Sequence, residues 1–289
     1  MSGDTIFNVQ EHLDYRKKRY HNADITNEQL LGLSTVEINP TELCNRTCSF
    51  CPRSNPEVYP NQNLNMTIDT AETISNQLFD ANFTGDIHIT GFGEPTLNPN
   101  ILGIIKALSK NFFTEMITNG DRLTSGKLKH NQLTENGLNS LIVDCYDGPE
   151  QTENIKNLLE NFIGQKRIRN HYDTGESNLF DLYNYNNRGG SISIKQFETM
   201  QRQCYMPMYK AFIDWNGDVL LCCNDWARKQ KSFGNVNKDT FSNIWMNDMF
   251  TRVRKTLLNG HRYLLPACEG CDTDGCKGGT ESAELWKKI

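Results

Sequence analysis

Between residues 35 and 190 short apolar runs alternate with amphipathic stretches, an order that few folds accept. Val36–Asn39, Asp86–Thr90, Glu115–Thr118, Ser140–Cys145, Arg167–His171 and Leu179–Tyr185 read as strands. Between them Asp69–Ala81, Asn100–Lys110, Gly126–Asn136 and Glu150–Phe162 read as helices. Ile101, Ile104, Ile105 and Leu108 recur at helical spacing, Pro99 precedes a start, and Gly137 and Gly164 follow ends. Repeated strand-then-helix units build a parallel sheet. About six units fit before residue 190, short of the roughly 250 residues that a closed eight-unit barrel takes. The expected fold class is therefore α/β, a partial (β/α)6 TIM-like barrel over residues 35–190. Residues 1–34 are polar and weakly periodic, an N-terminal extension. Residues 191–289 break the period with Gly- and Asp-containing turns and one helix, Ser242–Leu258, and read as a small α+β domain. In such barrels the chemistry lies at the C-terminal strand ends, so the loops there are the place to search.

The chain carries ten cysteines, and they fall in two groups. Cys44, Cys48 and Cys51 stand together; Cys204, Cys222, Cys223, Cys268, Cys271 and Cys276 occupy the last third; Cys145 stands alone between them. No basic leader precedes an apolar run, and no stretch of about 18 apolar residues occurs, so a soluble cytoplasmic protein without a membrane partner is expected. Thiols in that compartment serve metals or catalysis in preference to disulfides. The net charge of −5 offers no excess of cations to a phosphate backbone, so no nucleic-acid partner is expected.

The first group, spaced C-x3-C-x2-C, directly follows the first strand. Three thiolates from one loop can hold a four-iron cube and leave one iron open to another ligand. A zinc ion borrowing a distant fourth ligand is the alternative. Gly91-Phe92-Gly93-Glu94-Pro95 ends the second strand, and Thr118-Asn119-Gly120 ends the third.

Over roughly residues 35–190 these motifs together resemble the radical S-adenosylmethionine (SAM) superfamily. The resemblance implies that Cys44, Cys48 and Cys51 hold a [4Fe–4S] cluster whose open iron chelates SAM. Phe50 would pack near the adenine. Gly91, Gly93 and Glu94 would meet the methionine amino group, since glycine admits close backbone approach and a carboxylate suits an ammonium. Thr118 and Asn119 would contact the ribose and carboxylate. A flavodoxin- or ferredoxin-type reductant would drive cleavage of SAM to a 5′-deoxyadenosyl radical, which abstracts hydrogen from the substrate.

In the second group, twelve residues separate Cys204 from Gly217 and four separate Gly217 from Cys222. Asp214–Asp218 reads as a hairpin turn, and Cys268-Glu269-Gly270-Cys271 forms a C-x2-C loop. Four thiolates so placed suit a structural zinc ion or a cluster. With Phe233-Gly234-Asn235-Val236 and Ile244-Trp245, the segment is similar to the SPASM/twitch extension of radical SAM enzymes. That implies an auxiliary [4Fe–4S] cluster on Cys204, Cys222, Cys268 and Cys271. Neighbours on a strand point opposite ways, so Cys222 and Cys223 do not both bind it, and one cluster of the shortened twitch type is expected. Cys223 is expected to pack as a small hydrophobe. Cys276 departs from the simplest pattern and either replaces a ligand or marks a partial second site.

A fully ligated cluster beside the substrate suits removal of an electron, and this resembles the twitch-type aminoglycoside-cyclitol dehydrogenases, which oxidise a secondary alcohol to a ketone. Arg188, sixteen positions before Cys204, fits their substrate-contacting arginine; a surface or phosphate-binding role is the alternative. Cys145 ends the fourth strand, either as a hydrogen-atom donor in an epimerase or as a buried structural cysteine. Asp144 and Tyr146 are candidate polar contacts or proton acceptors, or turn residues. His88 reads as an interior residue; the other histidines, His171 included, lack partner spacing. Arg16-Lys17-Lys18-Arg19 reads as a solvated face. The expected substrate is a small hydroxylated molecule (sugar, cyclitol or nucleotide-linked sugar), dehydrogenated or epimerised. Modification of a ribosomal peptide and a zinc-stapled, non-enzymatic binding module are the alternatives.

Overall fold

The computed structural model describes residues 5–7, 9–172, 186–192, 199 and 201–289. Eight strands among them form one sheet: β1 (Thr5–Phe7), β2 (Thr35–Ile38), β3 (Asp86–Ile89), β4 (Thr114–Thr118), β5 (Ser140–Cys145), β6 (Gln165–Asn170), β7 (Lys210–Ile213) and β8 (Val219–Leu220). Their order is β1-β6-β5-β4-β3-β2-β7-β8, parallel throughout except for the antiparallel β7–β8 pair. The helices are α1 (Val9–Tyr20), α2 (Ile68–Asp80), α3 (Ile101–Ser109), α4 (Asp121–Thr124), α5 (His130–Glu135), α6 (Pro149–Leu158), α7 (Met206–Tyr209), α8 (Phe241–Met246), α9 (Asp248–Leu258) and α10 (Thr280–Trp286). The five expected units from β2 to β6 are present. The sixth expected strand, Leu179–Tyr185, lies outside the described residues. No helix of the described residues is long and apolar enough to cross a membrane.

Strand alternation separates two surfaces. Val36, Ile38, Ile87, Ile89, Met116, Leu141 and Val143 share one apolar cluster with Ile74 and Leu78 of α2 and with Ile101, Ile104, Ile105 and Leu108 of α3. Most of the intervening residues are polar (Glu37, His88, Glu115, Ser140, Asp144, Arg167, Arg169 and Lys210), with Ile117, Ile142 and Phe212 among them. The polar ones carry the ion pairs and hydrogen bonds of the concave side. The barrel is thus apolar outside, under its helices, and charged within.

The N-terminal residues belong to this architecture. β1 extends the sheet beside β6, and α1 turns Arg16 and Arg19 inward. Arg16 reaches Glu115 at 2.9 Å and lies against the His88 ring nitrogens at 2.5–2.7 Å. Arg19 grips Asp86 through two bonds of 2.5 and 2.6 Å. Tyr15 donates to Glu115 at 2.9 Å, and burial, then the Glu115 charge, pushes its phenol up to about 12. The solvated-face reading holds for Lys17 and Lys18, which are exposed, and fails for the two arginines, whose carboxylate partners lie on β3 and β4. Glu115 is 1% exposed and lies near both Arg16 and Arg167. Removing its charge strands buried guanidinium groups, so Glu115→Gln is expected to lower the unfolding free energy by about 3–5 kcal/mol. Urea titration of the two proteins checks this, and a change below about 1 kcal/mol contradicts it.

The C-terminal part joins the same sheet, since β7 runs parallel beside β2. The expected helix Ser242–Leu258 is two helices. Asn247 leaves helical geometry (φ −66°, ψ 158°), and its side chain caps α9 by accepting from the Phe250 N–H at 2.8 Å. Below them the Arg254 guanidinium lies about 4 Å from the Trp245, Phe250 and Trp286 rings and donates to the Trp245 and Pro207 carbonyls.

Candidate active site

The loop after β2 carries the first three cysteines, and Arg46 between them fixes it. Its guanidinium makes two bonds to Asp121 (2.7 and 2.6 Å) and two to Asp147 (2.9 and 2.6 Å), so the loop is clamped across the ends of β4 and β5. Asn45 adds a bond to Asp121 at 2.6 Å, and the Cys44 N–H donates to Asn61. The three thiols stand within electrostatic reach of one another. Burial pushes the Cys48 thiol up to about 11, with the Cys51 and Cys44 charges adding to it. Three soft thiols on one loop fit an iron–sulfur cluster.

The glycine loop after β3 is stitched to the cysteine loop. The Phe92 N–H donates to Asn39 at 2.9 Å, the Glu94 N–H to the Leu43 carbonyl at 2.7 Å, and Arg53 Nε to the Phe92 carbonyl at 2.9 Å. A Cβ on Gly93 would stand 2.2 Å from the Thr41 carbonyl oxygen, so only glycine permits this approach. Glu94 is 3% exposed and accepts from Thr96, from the Thr118 hydroxyl (2.6 Å) and from the Asn119 N–H (2.8 Å). The Asn119 amide donates to Asn45 and accepts from the Asp121 N–H. Glu94, Thr118 and Asn119 are thus brought together, with these bonds turned onto one another and onto the cysteine loop.

Phe50, Tyr146 and His171 form a stack: Phe50–Tyr146 centroids are 5.6 Å apart and Tyr146–His171 centroids 5.0 Å, with interplanar angles below 30°. Asp144 lies at its edge. It accepts two bonds from Arg169 (2.6 and 2.7 Å), stands 3.1 Å from His171 Nε2, and accepts from the Tyr146 hydroxyl at 3.3 Å. Burial alone would raise its carboxyl; Arg169 and His171 hold it well below the usual range. His171 therefore has partners that its sequence spacing did not disclose.

Cys145 is the correction. It is 0% exposed, sits in the outer apolar cluster and hydrogen-bonds with Thr152 of α6; burial pushes it up to about 11. Asp144 takes the inner face of β5, so its neighbour faces the helices.

In the C-terminal part Cys268 and Cys271 lie within electrostatic reach of both Cys204 and Cys222, as Cys276 does of Cys204, and burial pushes Cys204 up to about 11 and Cys222 and Cys268 upward. Cys276 donates to the Gln203 carbonyl at 3.1 Å. Cys223 packs on the Phe92, Phe212, Leu220 and Trp226 group, as a small hydrophobe, and also borders the lumen. The turn Asn186–Gly190 is bound to the C-x2-C loop: Asn187 donates from its N–H to Asp272 at 2.8 Å and from its amide to the Gly270 carbonyl at 2.7 Å. Arg188, Gly189 and Gly190 all take positive φ (51°, 65° and 81°), a costly state for an arginine. The Arg188 guanidinium acts electrostatically on both Cys51 and Cys223, and its buried Nε has no hydrogen-bond partner among the described residues.

Two features escaped sequence reading altogether. Glu42 pairs with Arg53 (2.9 Å) beside the first cysteines and with Arg228 (2.5 Å) beyond Cys223, tying the two thiol-bearing segments together. A lumen cavity of about 270 Å³ is lined by Glu37, His88, Thr90, Arg169, Lys210 and Cys223, among others.

Residues 38–171 match the radical SAM superfamily, and residues 204–272 match SPASM, an iron–sulfur cluster-binding domain. The S-adenosyl-L-methionine-dependent 2-deoxy-scyllo-inosamine dehydrogenase of Niallia circulans is 30% identical over 250 residues, 85% of this chain and 94% of that protein. The crystal structure of BtrN in complex with AdoMet and 2-DOIA matches with a TM-score of 0.70 at 26% identity, covering 86% of this chain and 96% of that one. Streptococcus suis SuiB bound to its precursor peptide SuiA shares the fold, with a TM-score of 0.51 at 17% identity over 94% of this chain and 76% of that one. The zinc readings of both thiol groups give way to these matches. The protein uses a SAM-binding [4Fe–4S] cluster and an auxiliary iron–sulfur cluster, and the chain belongs to the radical SAM superfamily, with a C-terminal SPASM-type domain.

Proposed function

We propose that this oxidoreductase removes hydrogen from a secondary alcohol of a small, cyclitol-like polyhydroxylated substrate and releases a ketone. The observation that carries the reading is the strained Asn186–Gly190 turn. It ties Arg188 to the auxiliary thiol loop while its guanidinium acts on both Cys51 and Cys223. Cys44, Cys48 and Cys51 would hold the SAM-binding cluster, and Cys204, Cys222, Cys268 and Cys271 the auxiliary one. Phe50, with Tyr146 beside it, would face the adenine. Gly91, Gly93, Glu94, Thr118 and Asn119 would shape the rest of the SAM site, Glu94 exchanging part of its present bonding for the methionine amino group. When bound, these groups supply a hydrogen-abstracting radical, formed with an electron from a flavodoxin- or ferredoxin-type reductant, and a sink for one electron; the carbinol loses one hydrogen atom, one proton and that electron.

The chain's own contribution is positioning. Arg188 presents fixed donors to the reacting hydroxyl oxygen and stabilises negative charge there as the proton leaves. Dehydrogenation is favoured over epimerisation because Cys145, the thiol that would return hydrogen, faces α6.

The test is an anaerobic reaction with a cyclitol deuterated at the carbinol carbon. Expected products are a ketone and monodeuterated 5′-deoxyadenosine. An epimer carrying solvent hydrogen at that carbon would contradict the reading.

A further inference from the structure

We infer that Lys210 sets the charge of the substrate: by occupying Glu37 inside the lumen, it makes the site select a neutral polyhydroxylated ring over one that bears an ammonium group. This rests on the cyclitol-type reading above. Glu37, third residue of β2, and Lys210, first residue of β7, project from adjacent parallel strands and form a direct ion pair. Both line the lumen cavity, in which Glu37 is the only carboxylate among the described lining residues.

The lining otherwise runs cationic, with Arg16, Lys17, Arg169 and Lys277 beside Lys210. Arg169 is balanced by Asp144 and Arg16 by Glu115. Burial disfavours the Lys210 charge, yet Glu37, Cys223 and Tyr20 together hold the ammonium above its ordinary range. The ion pair is nearly neutral as a unit. Arg188 acts on Cys223 at the same wall, as do Glu37 and Lys210.

An amine entering this space finds no free carboxylate. It must either displace Lys210, leaving that ammonium without its carboxylate, or accept Lys210 as a like-charged neighbour; both outcomes are unfavourable. A hydroxyl has neither problem, because it donates to Glu37 and accepts from Lys210 without disturbing the pair. The lysine thus acts by excluding one charge class as well as by welcoming a polyol.

The experiment is calorimetric binding to the reconstituted, SAM-loaded enzyme. The ligands are a deoxyaminocyclitol and its analogue with a hydroxyl in place of the amine. Wild type is expected to bind the hydroxyl analogue at least about tenfold more tightly. Lys210→Met frees Glu37 and is expected to reverse that order. The double variant Glu37→Gln/Lys210→Met, which leaves no buried charge unpaired at these two positions, is expected to erase the lysine-dependent preference. Equal or tighter binding of the amine by wild type overturns the inference, as does a preference that survives unchanged in both variants. If neither ring binds while SAM cleavage proceeds, the cyclitol reading itself falls, and the inference with it.

Discussion

Arg188→Met is expected to lower kcat/KM for substrate dehydrogenation about 100- to 1000-fold, the usual cost of losing one fixed donor to a developing oxyanion. Iron content and SAM binding are expected to stay near wild type. Among the described residues the side chain takes no part in the bonds that fix the turn, which run from Asn187 to Gly270 and Asp272 and from the Arg188 N–H to Asn186. Methionine keeps much of the stem and loses only the guanidinium. Arg188→Lys is expected to recover part of the loss through charge alone, because it lacks the planar fork. Steady-state rates at saturating SAM, with iron counted on the same preparations, separate the possibilities. A fall in iron matching the fall in rate would make Arg188 a structural residue.

Removing Cys268 and Cys271 together as alanines is expected to abolish ketone formation while 5′-deoxyadenosine still forms. Iron is expected to fall by about four atoms per chain, the content of one cube. A second effect follows from packing. Gly270 and Asp272, within or beside this loop, receive Asn187, and the Gly189 Cα lies so near Asn224 that a Cβ there would stand 2.5 Å from its carbonyl oxygen. Cluster binding therefore also supports the Arg188 turn, and the variant is expected to melt at lower temperature, since binding to the native state adds to folding stability. Unchanged ketone yield would remove the auxiliary cluster from the electron path.

Where the signal was local, the sequence was readable. β5 occupies the expected Ser140–Cys145, and the β2 to β6 units and intervening helices follow from apolar spacing and capping residues. The thiol groups were legible because their ligands sit on short loops. Long-range polar pairing was not. Arg19 and Asp86 are 67 positions apart, Arg46 and Asp147 are 101, and Arg228 and Glu42 are 186; nothing in a local window tells a buried guanidinium from a solvated one. Asn247 shows the same limit at shorter range. Inside an apolar-periodic stretch it reads as helical, and only its backbone angles reveal a cap.

For Cys145 and His171 strand parity carries the signal. Parity along β5 places Asp144 and Cys145 on opposite faces, so choosing the charged residue for the lumen excludes the thiol. The same parity puts His171 on the side of Arg169, whose register partner is Asp144. The charged inner face of the barrel was visible as the polar residues that interrupt each strand, and their pairing across strands needed the fold.

The central claim is that two cysteine groups hold two separate four-iron clusters and that the second receives the substrate's electron. Iron and acid-labile sulfide per chain, after anaerobic reconstitution of wild type and of Cys44/Cys48/Cys51→Ala, test it most directly. The account predicts about eight irons falling to about four. About four irons in wild type and none in the variant would contradict it, because the C-terminal thiols would then hold no cluster and the oxidation would lack its electron acceptor.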